Sequence, residues 1–401
     1  MPATDVMTER QIIPYNPDEP YEMSAKAEAL ETVAFVTVAK AREESWISNH
    51  ESQLTSYYAA QGREGDARVS LAKYETLEGL FSIVRAFKNE GDLKKLWAMA
   101  AKRGYEQLAV IKYMHRQNPR KNLQAEVKDI KSPAMRAVAG IYVALNYDAA
   151  YSALSRYKFK PNVLHGREKN GPASEMNAGK VLVNMAFANR MTEPGKYHEK
   201  VLEGIPILTR PDHIISETGR YVSRLVRDGY IADAKNVVDA HIRPEPESSY
   251  NRLGKEINMR EAQKLERIVA VETQHPDFVA QVEQQTKAKS GYQRALACAA
   301  LTKVALQLGD IEKATSWAWQ GDNAHDYDQR LVDLFSIEGF RALLPELLTT
   351  GMHEEATRVA QKISRFSTSD FIATRLTLAG YYRTGTPYAA PNHIDGIFVN
   401  F

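Results

Sequence analysis

Apolar residues along the chain recur three and four places apart over long stretches, as in LFSIVRAFKNEGDLKKLWAMA (Leu80 to Ala100) and REAQKLERIVAVE (Arg260 to Glu272). That is the period of a helix with one buried face, whereas period-two alternation is short wherever it occurs, so the pattern predicts an all-α chain. Two stretches break it. PNVLHGREKNGPASEMNAGK (Pro161 to Lys180) and HIRPEPESSYNRLGK (His241 to Lys255) mix Pro, Gly and polar residues and read as long loops. The first twenty residues hold Pro2, Pro14, Pro17 and Pro20 and read as an extended arm. The expected organisation is therefore an arm over residues 1–20, helical repeats over 21–160, a loop over 161–180, and helical repeats over 181–401 ending in a short tail. That tail, HIDGIFVNF (His393 to Phe401), is apolar enough to be expected to pack.

A hairpin pattern recurs within these helices. Gly229, Gly309, Gly351 and Gly385 are each followed five places on by an alanine: Ala234, Ala314, Ala356 and Ala390. Four and three places before each glycine stand apolar or aromatic residues: Leu225 and Val226, Ala305 and Leu306, Leu347 and Leu348, Tyr381 and Tyr382. A glycine can take the left-handed conformation that ends a helix, and a polar residue after it can cap the next one. Asp310 is placed for such a cap. Ala314 and Ala318 share a face of the second helix, with Trp317 bordering it and Trp319 pointing away. Weaker units centre on Gly91 with Asp92, and on Asn146 with Ala150.

The segment VALQLGDIEKATSWAW resembles the tetratricopeptide family. Leu301, Gly309, Ala314 and Gly321 stand where that family has a large apolar residue, the turn glycine, a small contact residue and a second small residue. The likeness is best over Tyr292 to Ala360 and fair near Tyr221 to Ala240. Thr302 replaces a small residue, Ala318 a bulky aromatic, and Asp326 a unit-ending proline. The resemblance implies an α-solenoid: a superhelical array of antiparallel helix pairs that binds partners on its concave face.

Composition and length agree with a folded chain: 401 residues, 44% hydrophobic and 25% charged. The longest apolar run, AVAGIYVAL, falls well short of the roughly 20 residues a membrane span needs. The first residues carry acidic groups where a signal peptide has a basic region, so a cytoplasmic chain, or one exported without a cleaved signal, is expected. Cys298 is the only cysteine, which excludes an internal disulfide and a cysteine-based metal cluster; in LACAAL it reads as a small buried residue.

Charge is unevenly spread. Residues 1–93 carry a net −7, residues 94–169 a net +11 and the remainder −2. The basic section suits an anionic partner, and Lys102, Arg103, Lys112, Arg116, Arg156, Lys158 and Lys160 are its candidate contacts. Tyr157 and Phe159 alternate with the last three and could stack on bases. The plain alternative is a solvated basic face complementing the acidic N-terminal section.

Reaction chemistry finds little footing. NAGKV at Lys180 lacks the first glycine and the hydroxyl residue of a phosphate loop. GDNAHDYDQR (Gly321 to Arg330) gathers possible metal ligands at a spacing that fits no calcium loop, and Asp326 or Asp328 is expected to cap the helix RLVDLFSIEGF. His198-Glu199 and His353-Glu354 each lack the second histidine of a zinc-protease helix. No catalytic residue, cofactor or metal is assigned. The first expectation is a non-enzymatic scaffold or adaptor with a protein or peptide partner in its groove. The alternatives are nucleic-acid or anionic-membrane binding through residues 94–169, and an enzyme whose site is assembled between repeats.

Overall fold

The computed structural model describes residues 11–44, 49–130 and 290–389, except 74, 102–104, 119 and 327–328, together with isolated positions between 136 and 287. All regular structure among them is helical: α1 (Pro20–Glu44), α2 (Asn49–Ala60), α3 (Glu64–Lys73), α4 (Leu77–Phe87), α5 (Glu90–Ala100), α6 (Tyr105–Gln117), α7 (Gln124–Asp129), α8 (Gly291–Gln307), α9 (Ile311–Asp322), α10 (Gln329–Thr349), α11 (His353–Ser364) and α12 (Thr368–Thr384). Helix pairs pack antiparallel. The chain divides into two compact units, one from both ends of the sequence (Met1–Leu96 and Glu283–Asn400) and one from its middle (Trp97–Val282). The expected loops at 161–180 and 241–255, the unit near Asn146, the helix at 260–272, Lys180 and the C-terminal tail lie outside the described residues.

The glycine turns have a common geometry. Gly309 and Gly351 adopt φ of 75° and 77°. The next residue's N–H reaches back five places, from Asp310 to the Ala305 carbonyl and from Met352 to the Leu347 carbonyl, each at 2.9 Å. This is the Schellman arrangement, in which two carbonyls left over at a helix end gain donors. Tyr230 N–H makes the same bond to the Leu225 carbonyl at 2.8 Å, although Gly229 itself is outside the described residues. A further turn of this kind sits at Gly62, with φ 69° and Arg63 N–H bonded to the Tyr58 carbonyl at 2.9 Å. It meets the same spacing rule, since Tyr58 and Ala59 precede Gly62 and buried Ala67 follows five places on.

Two expected turns differ. Between α4 and α5 the left-handed residue is Lys88 (φ 54°), and Gly91 instead lies in the first turn of α5, where its N–H is capped by Asn89 Oδ1 at 2.8 Å. Gly385 ends α12 with φ 73°, but residues 386–389 do not begin the second helix the pattern implied. Tyr388 folds back on α12, close against Gly380, and α1 from the other end of the sequence packs along α12.

α9 is buried on two sides. Ala314, Trp317, Ala318 and Gly321 are buried, and a Cβ on Gly321 would lie 3.0 Å from that of Cys298 on α8. The small residues of LACAAL serve this approach, because α8 is flanked by α9 and α10, and a Cβ on Gly339 of α10 would lie 3.4 Å from Ala299 Cα. Thr302, unusual for the tetratricopeptide pattern, is accommodated by donating its hydroxyl to the Cys298 carbonyl at 2.9 Å. Trp319 does not point away from the packing. It stands edge-on to Phe340 of α10 with centroids 4.7 Å apart, and its indole N–H donates to Glu355 of α11. The aromatic missing at Ala318 is thus supplied one residue later, toward the following helices.

Asp326 caps a different helix from the one expected. Its Oδ2 accepts from Tyr292 N–H at 3.1 Å, at the start of α8, and α10 begins at Gln329. An antiparallel hairpin brings the start of α8 beside the end of α9, so the cap is chosen by space and not by sequence order. Asp328 is outside the described residues.

The two chain ends meet around one buried carboxylate. Glu31 of α1, 5% exposed, accepts from the Tyr57 hydroxyl of α2 at 2.8 Å. Arg63 donates through Nη1 to both of its oxygens at 2.8 and 2.7 Å. Arg383 of α12 forms a fork, Nε to Oε1 at 2.9 Å and Nη2 to Oε2 at 3.0 Å. Burial works against the charge on both guanidiniums, yet their bonds and Coulomb attraction to Glu31 more than offset it and hold their pKa above the ordinary arginine value. Burial first, and the Glu31 charge second, push the Tyr57 hydroxyl well above its usual range. Removing the carboxylate leaves two arginines facing each other in a partly dry site. Glu31→Ala is therefore expected to cost about 3–5 kcal/mol in urea unfolding, and Glu31→Gln less because it keeps acceptor capacity. A loss below about 1 kcal/mol would show that solvent relieves the arginines.

Candidate functional site

α11 and α12 together form a surface whose side-chain hydroxyls hold a non-helical segment of the chain. α11 buries Ala356, Val359, Ala360 and Ile363, a three-and-four spacing that fixes its inner face. α12 starts with a side-chain cap: Ser367 Oγ accepts from Asp370 N–H at 3.1 Å, and Arg341 of α10 donates to Asp370 Oδ1 through Nε at 2.7 Å. With both helices fixed, His353 and Thr357 lie one turn apart on α11, near the end of α12 that carries Tyr381 and Tyr382.

Residues of the N-terminal arm lie against Thr357, Tyr381 and Tyr382. Ile12 N–H donates to Thr357 Oγ1 at 2.9 Å, Ile13 N–H to the Tyr382 hydroxyl at 3.1 Å, and Tyr15 N–H to the Tyr381 hydroxyl at 2.9 Å. Pro14 has no N–H to satisfy, so every amide from residue 12 to 15 is accounted for. Side-chain hydroxyls of the two helices supply the acceptors for this non-helical segment. Ile12 is 4% exposed and belongs to the main core cluster, while the Tyr15 ring meets Tyr381 edge-on at 6.3 Å.

The acceptors are themselves held. Thr357 donates its hydroxyl to the His353 carbonyl at 2.8 Å, which leaves its lone pairs for Ile12. His353 Nε2 lies 2.7 Å from the Tyr381 hydroxyl, and Nδ1 lies 2.6 Å from the Gly351 carbonyl. A neutral ring protonated on Nδ1 satisfies the whole chain: it donates to Gly351, accepts from Tyr381, and frees that oxygen to accept from Tyr15. Burial raises the Tyr382 pKa, with the bond from Ile13 opposing it. His353 thus serves in hydrogen bonding to a neighbouring tyrosine.

Next to this face, the junction of α9 with α11 carries charge. Arg358 stacks on the Trp319 ring at 4.8 Å, and Lys362 pairs with Asp322 at 2.8 Å. Cys298 is buried, and burial pushes its thiol up to about 11, which suits a packing residue and not a nucleophile.

The sequence-predicted contacts for an anionic partner fall elsewhere. Lys112 and Arg116 are four apart on α6, but their side chains lie outside the described residues, as do Lys102, Arg103, Arg156, Lys158 and Lys160. Among the described residues no group of three His, Cys, Asp or Glu side chains is arranged to hold a metal, and no helix is long and apolar enough to cross a membrane. Thr357, Tyr381 and Tyr382 went unmarked as site residues in the sequence. One signal did point to them from the other side: Ile12, Ile13 and Tyr15 form an apolar island in a proline-rich polar arm, and such an island calls for a surface to cover it. Compared with protein-family models, curated proteins and solved structures, the chain matches none.

Gly385 gives this contact a direct test. A Cβ there would come 2.9 Å from Tyr15 Cδ1, whereas Gly309, with nearly the same φ, has nothing within 4 Å. Gly309→Ala is expected to cost about 1–2 kcal/mol, the left-handed backbone term alone. Gly385→Ala should cost more, through displacement of the Tyr15 ring. Equal shifts of the urea midpoint would mean that the ring does not press on Gly385 in solution.

Proposed function

We propose that the chain is a non-enzymatic interaction scaffold, a tetratricopeptide-like superhelical array of helix pairs that binds a protein or peptide partner in its groove. The observation that carries this reading is the repeated glycine hairpin turn, at Gly62, Gly309 and Gly351, joining helices that pack through small residues. Stacked hairpins of this kind bury a continuous core and leave long side-chain-lined surfaces, which suit recognition of another chain. The α11–α12 face adds support, since it already holds a non-helical segment by its backbone amides. Capture from a lysate at low and at moderate salt is expected to retain a defined protein at both. Loss of all protein at moderate salt would reject the reading.

A second reading is favoured by one observation, the net +11 of residues 94–169. It makes the chain a binder of nucleic acid or of anionic membrane through Lys102, Arg103, Lys112, Arg116, Arg156, Lys158 and Lys160. Affinity should then fall steeply as salt rises, and Arg156→Glu or Lys158→Glu should weaken it and flatten the salt slope by about one counterion each. Insensitivity to both salt and charge reversal would remove it.

A further inference from the structure

Residues 11–15 are attached to the α11–α12 face in a way that a different segment could reproduce. All three of their hydrogen bonds to it come from backbone N–H groups, which any non-proline residue offers. Side-chain selection rests on two positions: buried Ile12, and Tyr15, whose ring lies over Gly385 and against Tyr381. Gln11, Pro14 and the stretch from Pro17 to Pro20 are exposed, so the anchored part is short and flanked by solvent. Pro14 suits the irregular path, since its ring narrows the conformations the free segment must give up on docking.

Two of the three acceptors have partners outside the arm. Thr357 is oriented by the His353 carbonyl, Tyr381 by the His353 ring, and Gly385 by its role as the left-handed end of α12. α11 thus holds two of the three acceptors, which limits what the receptor must rearrange to bind an unstructured ligand.

We propose that the α11–α12 face is a peptide-recognition site for short non-helical segments of the pattern aliphatic, aliphatic, proline, tyrosine, and that residues 11–15 occupy it in cis as a resident competitor. The proposal rests on the scaffold reading and names one of its sites and the chemistry of the partner. A tethered arm faces the site at an effective concentration on the order of millimolar, so a partner peptide must exceed that or bring a second contact. Recognition is thereby restricted to partners that are abundant or doubly anchored.

The test uses a fluorescein-labelled peptide with the sequence from Glu9 to Glu19, titrated into the full chain and followed by anisotropy. In the full chain carrying Ile12→Asp and Tyr15→Asp, which evict the arm, the probe is expected to bind at least tenfold more tightly than in the unaltered chain. Adding Thr357→Val should reverse the gain. Equal affinity in the first two chains, or a gain that survives Thr357→Val, overturns the proposal. The unaltered chain supplies a readout independent of how the variants fold: excess unlabelled peptide at millimolar concentration should speed amide exchange at Ile12, Ile13 and Tyr15 of the isotope-labelled chain severalfold, and unchanged exchange overturns the proposal as well. A chain that captures a protein partner yet fails both readouts loses this site and keeps the scaffold role; one that binds the probe but captures no protein does the reverse.

Discussion

Glu31 fixes how the two ends of the sequence meet. It lies on the buried stripe of α1 beside Ala27, Leu30 and Ala34, so its carboxylate enters the interior whatever else happens. An isolated buried carboxylate is costly, and the helices around it must bring cations and donors to the same point. Arg63, from the turn after α2, and Arg383, from α12, come to it from 32 and 352 residues away, and Tyr57 completes the set. Apolar packing alone would allow α1 to slide along α12, whereas the two-point fork of Arg383 sets one register. Everything that depends on where the arm leaves α1 depends on that register.

How much of this the sequence discloses differs from one feature to another for physical reasons. The turns at Gly309 and Gly351 are legible because their cause is local: a left-handed residue needs glycine, and five-residue spacing sets the small contact that follows. Gly62 obeys the same rule and could have been found by it. Lys88 could not, since a lysine held left-handed leaves no composition signal. The Asp326 cap and the packing of Trp319 against Phe340 depend on which helices lie alongside, and a pattern read along one helix treats it as having a single inner face. α9 has two. Glu31 lies between these cases: a carboxylate on an apolar stripe announces that it needs partners but does not say which.

The same division applies to the candidate surface. The apolar island of Ile12, Ile13 and Tyr15 is visible in the arm, while the hydroxyls that receive it sit on helices more than 340 residues later. Thr357, Tyr381 and Tyr382 look like ordinary helix residues until the arm is laid beside them. The pattern of basic residues, by contrast, is conspicuous in the sequence because charge is legible without knowing which helices lie alongside.

The two features of the folded unit are linked through the geometry of α1. Only residues 16–19 lie between the arm's last anchor at Tyr15 and the first residue of α1 at Pro20. With so short a connection, a shift of α1 along α12 would move the arm relative to Thr357 and Tyr381 by nearly the same distance. Hydrogen bonds of about 3 Å lose most of their strength when stretched by half an ångström or more. The Glu31 network therefore sets the tightness of the arm on its face as well as the stability of the fold. Weakening the network without abolishing the fold should loosen the arm first, because one buried and two part-buried hydrogen bonds and one buried isoleucine are a small hold compared with the packing of α1 against α12. Arg383 directly follows Tyr381 and Tyr382, so the ion network and the α11–α12 face share one end of α12.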